Sequence, residues 1–576
     1  MDTPDPPLST PGYTPADHFS DTTRGLCSAA YVDISYANAV IGEVVESERK
    51  AVPPSFGFDV DPVVRHCLRA RRLLIIRYLV VTLILMAGLC VNGWLTLGWL
   101  SLCVLVEMVR AARGRRLRVL RFGVVTAVGL GTICLMIGLV VLIAISKLTP
   151  DWLTERLADL AASSSTEDFA GGLVAGLFGA AVLTVLAPPA AMVATLFLSR
   201  WHAYGIMFGE LAPGARAYAP PTGNDRIERR LAAVARMQRG NIAVHDYNPY
   251  AGSGEIEHGW SFAVALRPRA AGSNGSRLSL DPHELAGRVN AAIIALRDTK
   301  LREGERIPNV YTVPYVAADG YRLRDDPLID PETGTPHTLA SPETIEAIQG
   351  CPQGGLRHYL RVVVPANGKQ IKGKDGKVIL PAQDSGVSVT AFVHLAVEGG
   401  LLYAEFVALV LPPLRAEYRI ADVLRADRVL SRAWGDTMRG FVHDNLYGPW
   451  HLLHVGWDAL RLTSRMSRSS AQAEEHRYYD YGARFSVRDR AARETGKFMQ
   501  KLDGAKYIKL VDRTVTEAVV GYLREQGVDT SEFESNVQNV TLGSLVFHGG
   551  IQNFGGTNTN TQTTNAAPAP KVQSGA

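Results

Sequence analysis

The long apolar runs of this chain cluster between residues 73 and 198, and that clustering constrains the fold more than any other feature. Residues 73–91 are apolar apart from Arg77. As a helix they rise about 28 Å, close to the thickness of a bilayer's hydrocarbon core. Asn92-Gly93 is a turn dipeptide. Residues 94–109 form a second, shorter run bearing Trp94 and Trp99. Residues 124–145 form a third run and residues 173–198 a fourth, with Pro188-Pro189 inside it. The pattern predicts a four-span transmembrane α-helical domain over residues 65–200. The short second run leaves a re-entrant hairpin as an alternative for the first pair.

Arginine placement sets the expected orientation. Arg65, Arg69, Arg71 and Arg72 precede the first run. Arg110, Arg113, Arg115, Arg116, Arg118 and Arg121 follow the second, and Arg200 closes the fourth. Short loops rich in arginine stay cytoplasmic. The loop 146–172 is acidic, with Asp151, Glu155, Asp159, Glu167 and Asp168. With four spans, both termini fall on the cytoplasmic side of the cell membrane. Only Arg77 and Glu107 are ionisable within the spans, at matching depth in a helical hairpin; they are expected to pair or to snorkel, with an ion site as the alternative. Pro188-Pro189 removes two backbone donors and predicts a kink in the fourth helix.

Residues 1–64 carry ten acidic and three basic residues between scattered prolines, a composition that predicts disorder. No basic and apolar leader opens the chain, so no cleavable signal peptide is expected. Beyond the spans, residues 201–414 read as a cytoplasmic α+β domain with a mostly antiparallel sheet. Its clearest element is a β-hairpin over 387–411, turning at Glu398-Gly399-Gly400. Asp281 and Pro282 mark the start of a helix. Residues 367–377 hold four lysines among glycines without Walker spacing, which reads as an exposed hairpin loop. Residues 247–254 read as a structural turn. Residues 415–534 turn helical. Within them 450–462 is amphipathic enough to lie against a bilayer, 464–468 reads as a linker, and 507–526 is an amphipathic helix ending at Gly527. His451 and His454 have metal-ligand spacing but no acidic or cysteine partner in register, so no metal is expected.

Residues 535–576 form a low-complexity, β-prone tail. Val540, Leu542, Leu545, Phe547, Ile551 and Phe554 alternate with Asn and Gly, and no charge appears from 536 to 570. A disordered, flexible tail is one reading of this composition. Uncharged β-formers with Asn/Gln ladders also suit stacking between identical chains, so these six residues are the candidate self-association set, with docking on a sheet edge as a further alternative.

The segments NPYAGSGEIEHGWSFAVAL, LRHYLRVVV, AEFVALVLPPLRAEYRIAD, DYGARFSVRDRAA and KYIKLVDRTVTEAV resemble a group of uncharacterised multi-pass membrane proteins of actinobacteria. The resemblance spans roughly residues 200–534. It implies no activity, cofactor or catalytic residue. The tail is similar in style to bacterial amyloid-signalling tails.

A net charge of +4 on 60 basic and 56 acidic residues is too balanced to imply nucleic-acid binding. Six scattered cysteines without a CxxC pair make a disulfide framework or zinc module unexpected. No catalytic motif and no cofactor fingerprint is present. The reading is a membrane-anchored scaffold or signalling protein whose expected partners are the lipid bilayer, a cytoplasmic protein and, through the tail, itself. A transporter or channel subunit and a membrane-bound enzyme without a recognisable motif are the alternatives.

Overall fold

A computed structural model describes residues 20–112, 167–216, 218–269, 280–302, 304–352, 355–367, 371–372, 377–380, 384–492 and 498–546. The chain divides into two compact units that interleave along the sequence. The first takes Met1–Gly252, Asp319–Thr338 and Pro413–Arg493; the second takes Ser253–Ala318, Leu339–Pro412 and Glu494–Ala576.

The first unit is mostly helical. It contains α1 (Asp21–Val32), α2 (Ile34–Val40), a π-turn (Ile41–Glu46), α3 (Val60–Ala112), α4 (Glu167–Gly209), α5 (Asp225–Met237) and the long α8 (Val429–Glu475). A short strand, β1 (Ile242–His245), bridges Ala483. The ribbon of β4 (Tyr321–Leu323) and β10 (Tyr478–Asp480) completes it. Residues 20–64 correct the expectation of N-terminal disorder. Ser20 and Asp33 cap α1 and α2 through their side chains. Leu26, Ala29, Tyr36, Val40 and Val44 then bury against Val63, Val64 and Cys67 of α3 and Leu231 and Val234 of α5. A low average hydropathy concealed a continuous apolar face. Residues 1–19 lie outside the described residues.

The four-span architecture is also corrected. Among the described residues, one helix, Val60–Val91, is long and apolar enough to cross a membrane; Gly93–Met108 is a shorter apolar helix. Residues 60–112 are helical, yet a Cβ on Gly88 would lie 2.9 Å from Thr96 Oγ1. Eight residues of straight helix rise about 12 Å. The chain therefore folds back near Asn92-Gly93, and the first two runs form one hairpin. The third run lies outside the described residues. The fourth lies in α4, whose side chains are described only from Ala187 onward. The helix is unbroken across Pro188-Pro189. The segment 464–468 is no linker: α8 runs through it because Leu462, Met466 and Ala473 bury one helical stripe.

The second unit is the expected α+β fold. Within it, five strands lie in the order β3 (Tyr311–Asp319), β5 (Leu356–Asn367), β8 (Asp384–Glu398), β9 (Leu401–Leu411) and β2 (Glu255–Ala265), each pair antiparallel. A minor ribbon pairs β6 (Ile371–Lys372) with β7 (Val378–Leu380). Glu398 pairs with Leu401 across Gly399 and Gly400, at φ 60° and 79°. Two positive-φ residues are what a two-residue type I′ turn needs. Helices α6 (Pro282–Ala295), α7 (Pro342–Gly350) and α9 (Phe498–Glu525) join this unit, and α6 is capped by Asp281. Leu285, Val289 and Ile293 of α6 and Val511, Val515 and Val519 of α9 bury in the core shared with the sheet residues Val362, Val389 and Phe406. Each such side chain contributes roughly 1.5–3 kcal/mol.

The chain ends its described part in α10 (Ser531–Val546). The β-former alternation there predicted extended chain, but the start of the segment favours a helix. Asp529 accepts from the Ser531 amide at 3.1 Å, Glu532 and Glu534 lie in the first turn, and Phe533 is fully buried. Val540, Leu542 and Leu545 thus lie on helical backbone. Phe547, Ile551 and Phe554 lie outside the described residues.

Candidate membrane-contacting surface

The hairpin of α3 is held at its base and bare at its tip. Val81 and Leu85 pack against Met192 and Leu196 of α4, with Ile84, Leu100 and Phe441 around them. A Cβ on Gly448 of α8 would meet Val81 Cγ1 at 3.3 Å. Exposed apolar side chains run along both arms: Ile76, Leu79, Leu83, Met86, Leu89 and Val91 on the first, and Trp94, Leu97, Val104 and Met108 on the second. The sixteen residues from Ile76 to Asn92 rise about 24 Å. That length exceeds the headgroup–acyl boundary and is shorter than a ~30 Å core.

A second apolar ridge belongs to α8. Trp450, Leu453, Trp457 and Leu460 recur at spacings of three and four, and Leu460 is 80% exposed. Arg461 stands over the Trp457 ring, 4.1 Å from its centroid. Tryptophan beside arginine on an apolar ridge is the chemistry of a membrane interface, where rings sit among headgroups and the cation meets phosphate. Both apolar surfaces lie in the first unit.

Polar contacts lock the base. Asp444 of α8, almost fully buried, accepts from Arg200 Nη2 at 2.6 Å and from the Tyr78 hydroxyl at 3.2 Å. His451 stacks on Tyr78 with ring centroids 5.3 Å apart. His443 lies 4.7 Å from the Tyr447 ring. Burial holds His451 below the usual imidazole range, with His443 adding to the effect.

A family model described as an AbeC-like domain matches residues 259–559, just over half of the chain. The chain belongs to the AbeC-like domain family. Searches of curated proteins and of solved structures found no match. The AbeC-like segment begins inside β2 and takes in the rest of the sheet, α6 to α10 and therefore the Trp450–Leu460 ridge. The α3 hairpin lies upstream of it.

Of the eleven arginines read as orientation signals, six lie among the described residues, and four of these, Arg65, Arg69, Arg110 and Arg200, close ion pairs in the first unit. Arg65 bridges Asp61 and Glu228, the latter at 2.6 Å, and holds the Glu228 carboxyl down at about 2. Arg69 pairs with Glu210 through both terminal nitrogens. Arg200 takes Asp444. Arg71 is buried, Arg72 is exposed, and Arg110 lies 3.5 Å from Glu107. Arg113, Arg115, Arg116, Arg118 and Arg121 lie outside the described residues. The structure does not bring Arg77 and Glu107 into an ion pair. Arg77 turns onto Tyr78, 4.8 Å from its ring centroid, while Glu107 faces Arg110 and, at 3.8 Å, His443. His454 lies beside Asp458 at 3.3 Å. Among the described residues, no three His, Cys, Asp or Glu side chains are placed to share a metal ion. Sequence reasoning missed Asp444, whose partners lie 244 and 366 residues away. The Trp450/Trp457 ridge carried a readable signal in its helical spacing.

Proposed function

We propose that this protein is a membrane-attached interaction protein, held at the cytoplasmic face of the cell membrane by the α3 hairpin. The exposed apolar tip around Met86, Trp94 and Leu97 carries the reading, because so large an apolar patch on one hairpin is otherwise an aggregation liability. The hairpin enters and leaves on one side, flanked by the exposed Arg72 and by Arg110. Both flanking parts of the chain then lie beneath the lipid, as the resemblance to actinobacterial membrane proteins also suggests. The Trp450–Leu460 ridge lies in the interface. The AbeC-like domain is the part that meets a cytoplasmic partner, and the uncharged tail brings copies together. Confinement to a plane raises the effective concentration of such weak sites.

Flotation with liposomes tests the anchor. The full chain is expected to float, and Met86→Asp with Leu97→Asp to remain at the bottom while keeping the wild-type circular dichroism. Flotation of the double variant at the wild-type level refutes the reading. In intact cells, a tag after residue 576 is expected to resist added protease until lysis, and deletion of residues 547–576 to disperse any clusters.

A further inference from the structure

Lys50, Arg465, Arg468 and Arg484 converge on one open cleft of about 430 Å³ in the first unit. Its volume lies in the range of small-molecule sites. One wall is the π-turn, which contributes Gly42, Glu43 and Glu46. Single π-turns are rare and concentrate at functional sites, because the widened turn redirects side chains.

Two of the cleft's four cations are already hydrogen-bonded to carboxylates. Lys50 Nζ donates to Asp480 and, at 3.2 Å, to the Gly482 carbonyl. Arg465 donates to Glu46 at 3.0 Å and also to Asp458. Glu43, buried on the floor, accepts from the Arg484 amide at 2.8 Å. Glu46 is thus engaged by Arg465, while Glu43 is held by a backbone amide and feels the charges of Lys50 and Arg484 without a direct ion pair. The guanidinium groups of Arg468 and Arg484 have no ion-pair partner among the described residues and stand exposed at the mouth. Tyr479, whose hydroxyl lies 3.1 Å from Ser469 Oγ, and Gln472 add neutral hydrogen-bonding groups.

We propose that this cleft binds a diphosphoryl anion, gripped by Arg468 and Arg484 with Lys50 and Arg465 behind them. Two guanidinium forks match two phosphoryl groups in a way that a single carboxylate does not. The open mouth admits either a soluble diphosphate ester or a phosphorylated lipid headgroup, which share this chemistry.

Titration calorimetry of the full chain in neutral detergent, with inorganic pyrophosphate as the probe, tests it. Arg468→Ala and Arg484→Ala are each expected to weaken binding roughly tenfold or more. The double variant is expected to show no heat, with an unchanged melting midpoint. Arg468→Lys and Arg484→Lys, which keep the charge, cover the case where alanine disturbs the fold and are expected to bind more weakly than wild type. In a second arm, vesicles with and without phosphatidylinositol 4,5-bisphosphate are compared. A gain in partition that the double variant loses, without a pyrophosphate response, assigns the site to a lipid headgroup. Binding that is equal in wild type and double variant, or a wild type that responds in neither arm, overturns the proposal.

Discussion

Arg200 of α4 and Asp444 of α8 form a buried ion pair at 2.6 Å, and the Tyr78 hydroxyl of α3 closes on the same carboxylate. Three helices therefore meet at one charge. Removing one partner of a buried pair leaves the other uncompensated, which costs about 3–5 kcal/mol. Asp444→Ala is expected to lower the thermal midpoint strongly, whereas Arg200→Met with Asp444→Leu restores much of it. A single Ala variant as stable as wild type in differential scanning calorimetry defeats this account.

The hairpin turn depends on the absence of a side chain at residue 88. A Cβ there would approach Thr96 Oγ1 to 2.9 Å. Overpacking of this kind costs roughly 1–3 kcal/mol. Gly88→Val is expected to loosen the two arms and speed proteolysis at residues 92–93. Adding Thr96→Gly makes room and is expected to recover protection. Limited proteolysis of the two variants side by side decides the matter.

Phe533 ties α10 to strand β2 of the second unit's sheet. It is fully buried, edge-on to Trp260 and Phe262 at centroid distances of 6.0 Å. Phe→Ala in such a site costs about 3–5 kcal/mol. Phe533→Ala is expected to release α10 while the sheet stays folded. Hydrogen exchange reads this as lost protection over residues 531–539 with β8 and β9 unchanged; protection lost everywhere or nowhere contradicts it.

What could be read in advance follows from the range of the interactions. The 398–401 turn and the Asp281 cap are settled within a few residues, and both were legible. Helix α8 was read in pieces because its Ser/Arg stretch has no local reason to be helical; burial of Met466 supplies one. Residues 20–46 looked disordered because their apolar positions are sparse and matter only beside α3 and α5. The hairpin runs looked like separate spans because periodicity cannot see α8, with Asp436, Arg439 and Asp444 on it, packed along their base. The cleft draws on residues near 43, 50, 465 and 484, too far apart for any spacing rule to join.

Acid should loosen the second unit through His358. This side chain is buried on β5, where Gln349 lies 3.1 Å from its Nδ1 and the His394 ring nitrogen meets its carbonyl oxygen at 2.7 Å. Burial, then the neighbouring His394 and His283, push its pKa from 6.5 down to about 4. The unfolded chain therefore takes up a proton at higher pH than the folded one. The contribution is fully present above pH 6.5 and is lost as the pH falls toward 4. Over that window a shift of this size removes roughly 3 kcal/mol. Burial lowers His394 as well, and its loss runs in the same direction. Urea unfolding followed by the fluorescence of Trp260 at pH 7 and pH 4.5 should show a midpoint that falls with acid. His358→Gln removes the titrating group and is expected to flatten that dependence, even if it lowers stability at pH 7. A variant whose midpoint falls as steeply as wild type would place the acid sensitivity elsewhere.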